Sequence, residues 1–343
     1  MRVQQADIGY RLEGTWDGQD AANAFLAHLA GRGFSVATVR AYAFDLANLA
    51  RFLAERDLAL SAVGAALVFD WIDWQGVARA GRSRPGSAAS TVNRRVAAVR
   101  AFFEYLVMTG IRGGNPVPSP RRGQGLRHSE RGLLGHLGPG RARAGGRLVR
   151  QPQLLPESLP VNDIEAFIAT LGTHRDRAMV LAMLLGGLRS AEVRGLLLAD
   201  ADMGRRRLRV IGKGGKERHV PVDTAFFTEL AAYLRWERPS GLATPQCFVV
   251  LRGPTTGAPV SEAGLRSLFR RHRELSGATR VRPHRLRHTY GTELASAGID
   301  LLALRALMGH ASPETTARYV HLSIEHLAAE YGAARATLAG ALQ

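Results

Sequence analysis

The sequence predicts a mainly α-helical chain of two domains, the second carrying a small antiparallel sheet. Three observations predict it. Apolar residues recur at helical spacing through most of the chain. Only two short runs, RRLRVIG and RHVPV, read as strands, with GKGGKE between them as a turn. A Gly- and Arg-rich stretch at 119–150 separates the halves.

The first domain, 19–115, reads as a small helical bundle. Its first helix starts at Asp20, a suitable N-cap, and stops near Gly31. The second places Val39, Tyr42, Leu46, Leu49 and Leu53 on one stripe. LSAVGAALVFDWIDWQGVARAG is the third. The fourth aligns Val92, Val96, Val99, Phe103 and Leu106 and ends at Gly110, read as its C-cap.

The segment 116–155 reads as a flexible basic linker. Its 119–150 part holds eight Arg, eight Gly and one Glu, and no sustained period. It either tracks phosphates or is a surface loop that repels itself.

The second domain, 156–336, is mostly helical. VNDIEAFIATLG, HRDRAMVLAMLLGGL, TAFFTELAAYLRWER, SEAGLRSLFRRHREL, HRLRHTYGTELASAG, DLLALRALMG and SPETTARYV read as helices. Ser312 followed by Pro313 suits a helix start. An amphipathic helix over 323–342 closes the chain.

Composition narrows the function. The formal charge is +17 over 343 residues, which favours a polyanionic partner. A genome that favours Arg codons would explain the choice of base but not the excess over acids. No apolar run approaches the roughly 20 residues of a membrane span, and mean hydropathy is −0.08. No secretory signal is expected from the N-terminal stretch. A single cysteine, Cys247, rules out an intrachain disulfide and suits a reducing compartment. Of 46 Lys and Arg residues, only Lys213 and Lys216 are lysine, and both lie in the GKGGKE turn.

Polar residues that interrupt apolar helices are the candidates for chemistry. Arg189 ends the run LAMLLGGL, where an unpaired charge is expensive to bury. A pair with Glu192, one turn on, would satisfy it, and could equally orient it toward a ligand. His284, Arg287 and His288 share a helix face. Two histidines so spaced can bind zinc, but an arginine on the same face repels a metal and favours an anion. A solvated basic face is the plainer alternative. His310 and Tyr319 follow in LMGHASPETTARYVH, and a tyrosine there would ordinarily be a packing residue.

Together these residues resemble the tyrosine recombinase (phage integrase) family, and within it the simple Xer-like members. Arg189 in GLRSAEV, Lys213 in VIGKGGKERHVPV, His284 and Arg287 in HRLRH, His310 in LMGHASPETT and Tyr319 in ARYVH occur in the family's order and at similar spacing. ATVRAYAFDLANLARFL and STVNRRVAAVRAFFEYLVMTG, followed by NP, resemble the family's helical core-binding, SAM-like domain.

The resemblance implies an enzyme that breaks and rejoins DNA without ATP or metal. Tyr319 would attack a phosphodiester, giving a 3′-phosphotyrosyl bond and a free 5′-hydroxyl; a partner strand's 5′-hydroxyl would then reverse the step. Arg189, Arg287 and His310 would hold the phosphoryl oxygens, and His284 would assist proton transfer or stabilise the phosphate. Lys213 would protonate the departing oxygen. Arginine holds its proton too tightly for that, whereas lysine loses it more readily beside other cations. Lys216 reads as a DNA-backbone contact or hairpin support. Arg40, Thr91, Arg94 and Arg95 are candidate core-site contacts, each equally readable as solvated helix surface.

Implied partners are double-stranded DNA with a specific core site and further recombinase subunits. These would form a homotetramer, or a heterotetramer with a related recombinase, through the C-terminal helix. The setting is cytoplasmic, on the nucleoid, with no membrane. Residues before 19 are too few for the arm-binding domain of lambda-type integrases, so no arm-site recognition is expected. The 119–150 linker departs from simple members in length and charge. The competing functions are a type IB topoisomerase and a non-catalytic DNA-binding accessory factor.

Overall fold

The computed structural model describes residues 1–6, 9–76, 86–118, 148–149, 158–212 and 214–309. The chain divides into two compact units, Met1–Gln153 and Leu154–Gln343.

The N-terminal unit opens on a hairpin that the helical periodicity gave no sign of. Strand β1 (Arg2–Gln5) pairs antiparallel with β2 (Tyr10–Glu13), from Arg2 opposite Glu13 to Gln5 opposite Tyr10. Leu12 is fully buried. The amide of Asn23 accepts from Leu12 N–H at 2.7 Å and donates to Leu12 C=O at 3.1 Å. It thus acts as one more strand neighbour and fastens the hairpin to the first helix.

Four helices follow: α1 (Gln19–Gly31), α2 (Val36–Ala54), α3 (Ala65–Gly76) and α4 (Ala89–Met108). Asp20 is not the cap of α1. Gly18 holds that position without a side-chain bond, and Asp20 lies in the first turn, where a carboxylate still meets the positive end of the helix dipole. Ser35 caps α2 by accepting from Thr38 N–H at 3.2 Å. The stripe on α4 is buried as its spacing predicts. Thr109 is the C-cap of α4, and Gly110 sits one residue beyond, donating to Val107 C=O at 3.1 Å while Ile111 donates to Leu106 C=O at 3.0 Å.

An aromatic cluster fills this unit. The Phe102 ring lies 5.6 Å from Phe25, 5.5 Å from Phe103 and 6.5 Å from Trp16, centroid to centroid. Trp71 is fully buried and donates to Asn48 Oδ1 at 3.0 Å, so the indole N–H keeps a partner in the core.

The C-terminal unit surrounds α6 (His174–Leu185), which is buried on most of its faces. Around it stand α5 (Val161–Ala169), α7 (Ser190–Gly195), α8 (Thr224–Ala232), α9 (Glu262–Ser276), α10 (Pro283–Ser296) and α11 (Leu301–Met308). A three-stranded antiparallel sheet of order β3-β4-β5 joins them. It comprises β3 (Ala201–Asp202), β4 (Arg207–Ile211) and β5 (Glu217–Pro221). The two longer strands are those the alternation predicts; β3 is too short to show a period. At the hairpin tip Gly212 donates to Lys216 C=O at 2.8 Å, and Gly214 and Gly215 have φ of 77° and 74°. Those left-handed angles favour glycine over any residue with a Cβ.

Cys247 is fully buried, and burial pushes its thiol up to about 12, which disfavours the reactive thiolate. No described helix is long and apolar enough to cross a membrane. Residues 119–147 of the basic linker, the helix expected after Ser312 and the one expected over 323–342 lie outside the described residues.

Truncating Phe102 removes the ring at the centre of the aromatic cluster. Phe102→Ala should lower unfolding free energy by about 3–5 kcal/mol, read from urea titration of the N-terminal unit's transition. A loss below about 1 kcal/mol would show that this core is not packed around Phe102.

Candidate active site

Arg189 is the N-cap of α7, directly after the apolar α6 and the Gly186–Leu188 turn. Its partner is the one the sequence spacing offers. Glu192 Oε2 accepts from Arg189 backbone N–H at 2.8 Å, and Arg189 Nη1 donates to Glu192 Oε1 at 2.8 Å. The carboxylate therefore both caps the helix and fixes the guanidinium.

Glu192 serves more than Arg189. Its side chain is 5% exposed, and Arg218 from β5 grips it with both terminal nitrogens, Nη1 to Oε1 at 2.9 Å and Nη2 to Oε2 at 2.8 Å. Arg287 from α10 brings Nη1 within 3.9 Å of Oε2. Three guanidinium groups thus surround one carboxylate, an excess of two positive charges.

The same arginines reach the end of α11. Arg218 Nε donates to Leu307 C=O at 2.8 Å, and Arg189 Nη2 to Gly309 C=O at 3.0 Å. Arg287 donates to Met308 C=O and, on its other side, to Gly187 C=O. The final carbonyls of a helix lack intrahelical partners and carry its negative dipole end, which suits cations. The residue after Gly309 in the chain is His310.

Burial would raise the Glu192 carboxyl. Hydrogen bonds from Arg218 and from Arg189, with the Arg218 charge, overcome it and hold the group down to about 2. The site is therefore ionised and strongly cationic at neutral pH. Arg287 is buried and forms part of the frame, whereas the Arg189 side chain is 37% exposed. Among the described residues the remaining Arg189 N–H groups find no acceptor, so the fork can serve an external anion.

His284 begins the first turn of α10, one turn before Arg287. Its ring meets that of His288 edge-on, with centroids 6.2 Å apart. Partial burial, and then the Arg282 and Arg285 charges, hold the imidazole below its usual range. It is neutral at neutral pH, with one nitrogen able to accept a proton. Lys216 is exposed at the base of the hairpin tip. Lys213, His310 and Tyr319 lie outside the described residues.

On the N-terminal unit, Arg40 is exposed over the faces of Phe44 and Tyr10, at 5.0 and 6.0 Å from the ring centroids. Thr91 is half-buried in the first turn of α4. Arg94 and Arg95 are not merely solvated. Arg94 pairs with Asp45, and Arg95 Nη1 donates to Gln75 Oε1 and Ser87 Oγ, each at 2.9 Å. Asp45 is 1% exposed, and burial pushes its carboxyl up to about 6 against the pull of Arg94 and Arg95. Glu192 goes the other way because both its oxygens are gripped, whereas Asp45 Oδ1 finds no hydrogen-bond donor among the described residues.

Two functional neighbours were absent from the sequence reading. Arg218 shares the inward face of β5 with Val220, and a charge on a strand's inward face is a readable signal. Asp45 sits within an apolar stripe of α2, the helical equivalent.

Known proteins resemble this chain over most of its length. Residues 157–326 match the phage integrase family, and residues 22–110 match the phage integrase N-terminal SAM-like domain. The tyrosine recombinase XerC of Chromohalobacter salexigens is 34% identical over 322 residues, covering 91% of this chain and 94% of the relative. That of Myxococcus xanthus is 32% identical over 327 residues, covering 90% and 95%. Among solved structures, the XerH site-specific recombinase in a post-cleavage complex with its difH substrate superposes with TM-score 0.63 at 18% identity, over 90% of this chain and 83% of that one. The Tn1549 transposon integrase bound to transposon right-end DNA gives 0.62 at 17% identity, over 92% and 99%. The chain belongs to the tyrosine recombinase family, whose members cleave and rejoin DNA.

The depressed carboxyl has a measurable consequence. A group lowered from its ordinary 4.5 to about 2 contributes about 3 kcal/mol of stability above pH 4.5, lost as pH falls through 2. Glu192→Gln should therefore unfold more easily than wild type near neutral pH, and the gap should narrow as pH drops across that window. Urea unfolding against pH checks this; a gap that stays constant would mean Glu192 is not held ionised by its arginines.

Proposed function

We propose that this chain is a site-specific DNA recombinase that works through Tyr319. The observation that carries the reading is the Glu192 frame. It orients Arg189 with open donors, draws in Arg287, and binds the carbonyls of the turn that leads to His310.

In the proposed reaction the phosphoryl group of the scissile bond takes the Arg189 fork. Charge building on its oxygens meets cations already fixed in place, so little reorganisation is needed as the barrier is crossed. Tyr319 attacks phosphorus, forming the 3′-phosphotyrosyl bond while the bond to the 5′-oxygen breaks. The tyrosine proton passes to a nearby base, and neutral His284 has the lone pair to receive it. His310 adds a hydrogen bond to the phosphoryl oxygens. Lys213, on the turn between β4 and β5, protonates the leaving 5′-oxygen. A 5′-hydroxyl from another duplex then attacks the phosphotyrosine and regenerates the tyrosine, so the energy of the original bond is conserved.

Double-stranded DNA carrying a core site is the proposed partner, with Arg40, Thr91, Arg94, Arg95 and Lys216 as contacts. The supporting features are the +17 charge and the basic residues on α2 and α4. Four recombinase subunits, of one kind or two, would assemble on two sites. The protein would act in the cytoplasm on the nucleoid, its domains being 19–115 and 156–336 joined by the basic segment 116–155.

A nicked suicide substrate carrying the cognate site tests the chemistry. Wild type should form a covalent protein–DNA product and Tyr319→Phe none; equal trapping by both would overturn the role of Tyr319. Exchange of strands between two duplexes separates recombination from topoisomerase-like relaxation. Lys213→Arg should bind DNA normally and cleave about 100-fold more slowly. A 5′-bridging phosphorothiolate, whose sulfur leaves unprotonated, should restore its rate, and absence of rescue would remove Lys213 as the acid.

A further inference from the structure

Arg218 has no part in the reaction described above, yet its guanidinium is fully engaged within the site. It comes from β5, the strand that follows the Lys213 turn, and is 10% exposed. Its two terminal nitrogens hold both oxygens of Glu192, and its Nε holds the Leu307 carbonyl. Each nitrogen of the guanidinium therefore has an acceptor, and the acceptors belong to two different helices, α7 and α11.

The turn after α11 is shaped around this side chain. Gly309 has φ of 58°, and a Cβ added there would lie 3.0 Å from Arg218 Nη1 and 3.2 Å from its Cδ and Cζ. The left-handed angle favours glycine, and a Cβ there would crowd the Arg218 side chain. Gly309 also gives its carbonyl to Arg189.

The geometry points to Arg218 as a positioning residue for strand cleavage. It locks Glu192 and the end of α11 in register with the β4–β5 hairpin, and so fixes Arg189 and the entry to His310 without touching DNA. The inference rests on the recombinase reading above. A planar fork is needed, because both oxygens of Glu192 must be held while Oε1 still accepts from Arg189 Nη1 and Oε2 from the Arg189 backbone. Without Arg218 the carboxylate keeps its burial but loses its strongest counterweight, so its proton affinity rises and its hold on Arg189 weakens as pH falls.

The test is single-turnover cleavage of the nicked suicide substrate at saturating protein, with DNA affinity measured separately. The variants are Arg218→Lys, Arg218→Met, Glu192→Gln and the double variant Arg218→Met with Glu192→Gln. Arg218→Lys keeps the charge and lacks the fork, and serves as the main reading should Arg218→Met fail to fold. Both single Arg218 variants should cleave at least about tenfold more slowly at neutral pH, with DNA affinity within about threefold of wild type. Their rates should fall further toward about pH 5, where wild type is unaffected by this group. The double variant should be no slower than the slower single one, since both losses act through one carboxylate. Full-rate cleavage by Arg218→Lys, or losses that multiply in the double variant, would overturn the positioning role while wild-type trapping leaves the recombinase reading intact. No covalent product from wild type would remove both.

Discussion

A buried carboxylate shared by three arginines is the constraint on which the site depends. Glu192 is too deeply placed to be ionised on its own, and the arginines around it would repel one another without it. Each solves the other's problem. The result is a cationic frame of three guanidinium groups around one carboxylate, in which each arginine is hydrogen-bonded and Arg189 is still left partly open. The frame also consumes the orphan carbonyls of α11, so helix termination and site assembly become one event.

This explains why the site is drawn from distant parts of the chain. Residue 189 follows the central helix, 218 lies on the sheet, 287 on α10 and the carbonyls on α11. The hydrophobic core packs α6, the sheet and α10 together, and the arginines extend from that packing toward Glu192. A carboxylate with fewer grips behaves differently, as Asp45 shows. It is equally buried, but one of its oxygens lacks a donor among the described residues, and its carboxyl rises instead of falling. The number of good hydrogen bonds, not burial, separates the two.

Much of this was legible in the sequence where one residue type sat against its surroundings. Arg189 stood out because it ends an apolar run, and Glu192 because it lies one helical turn on. Most described helices were legible as apolar-rich segments, α7 excepted, and the β4–β5 hairpin from two short strand-like runs around a Gly-rich turn. Arg218 was hidden because a single arginine in an arginine-rich chain carries no compositional contrast; only its phase on β5 marks it. The N-terminal hairpin was hidden because its strands are four residues long and gain their burial from Leu12 and the Asn23 amide, neither of which makes a period. Asp20 resembled an N-cap because caps and first-turn acids share residue types.

In the proposed reaction the phosphoryl group held by this frame is attacked by a side chain of the same chain. The direct measurement is peptide mapping of the protein–DNA adduct trapped on a nicked substrate. Tryptic cleavage after Arg318 leaves Tyr319 and Tyr331 on one peptide, so fragmentation must place the nucleotide remnant. The account predicts a 3′-phosphate ester on the phenolic oxygen of Tyr319 alone. A remnant on Tyr331, on Tyr290 or on any other side chain would contradict it.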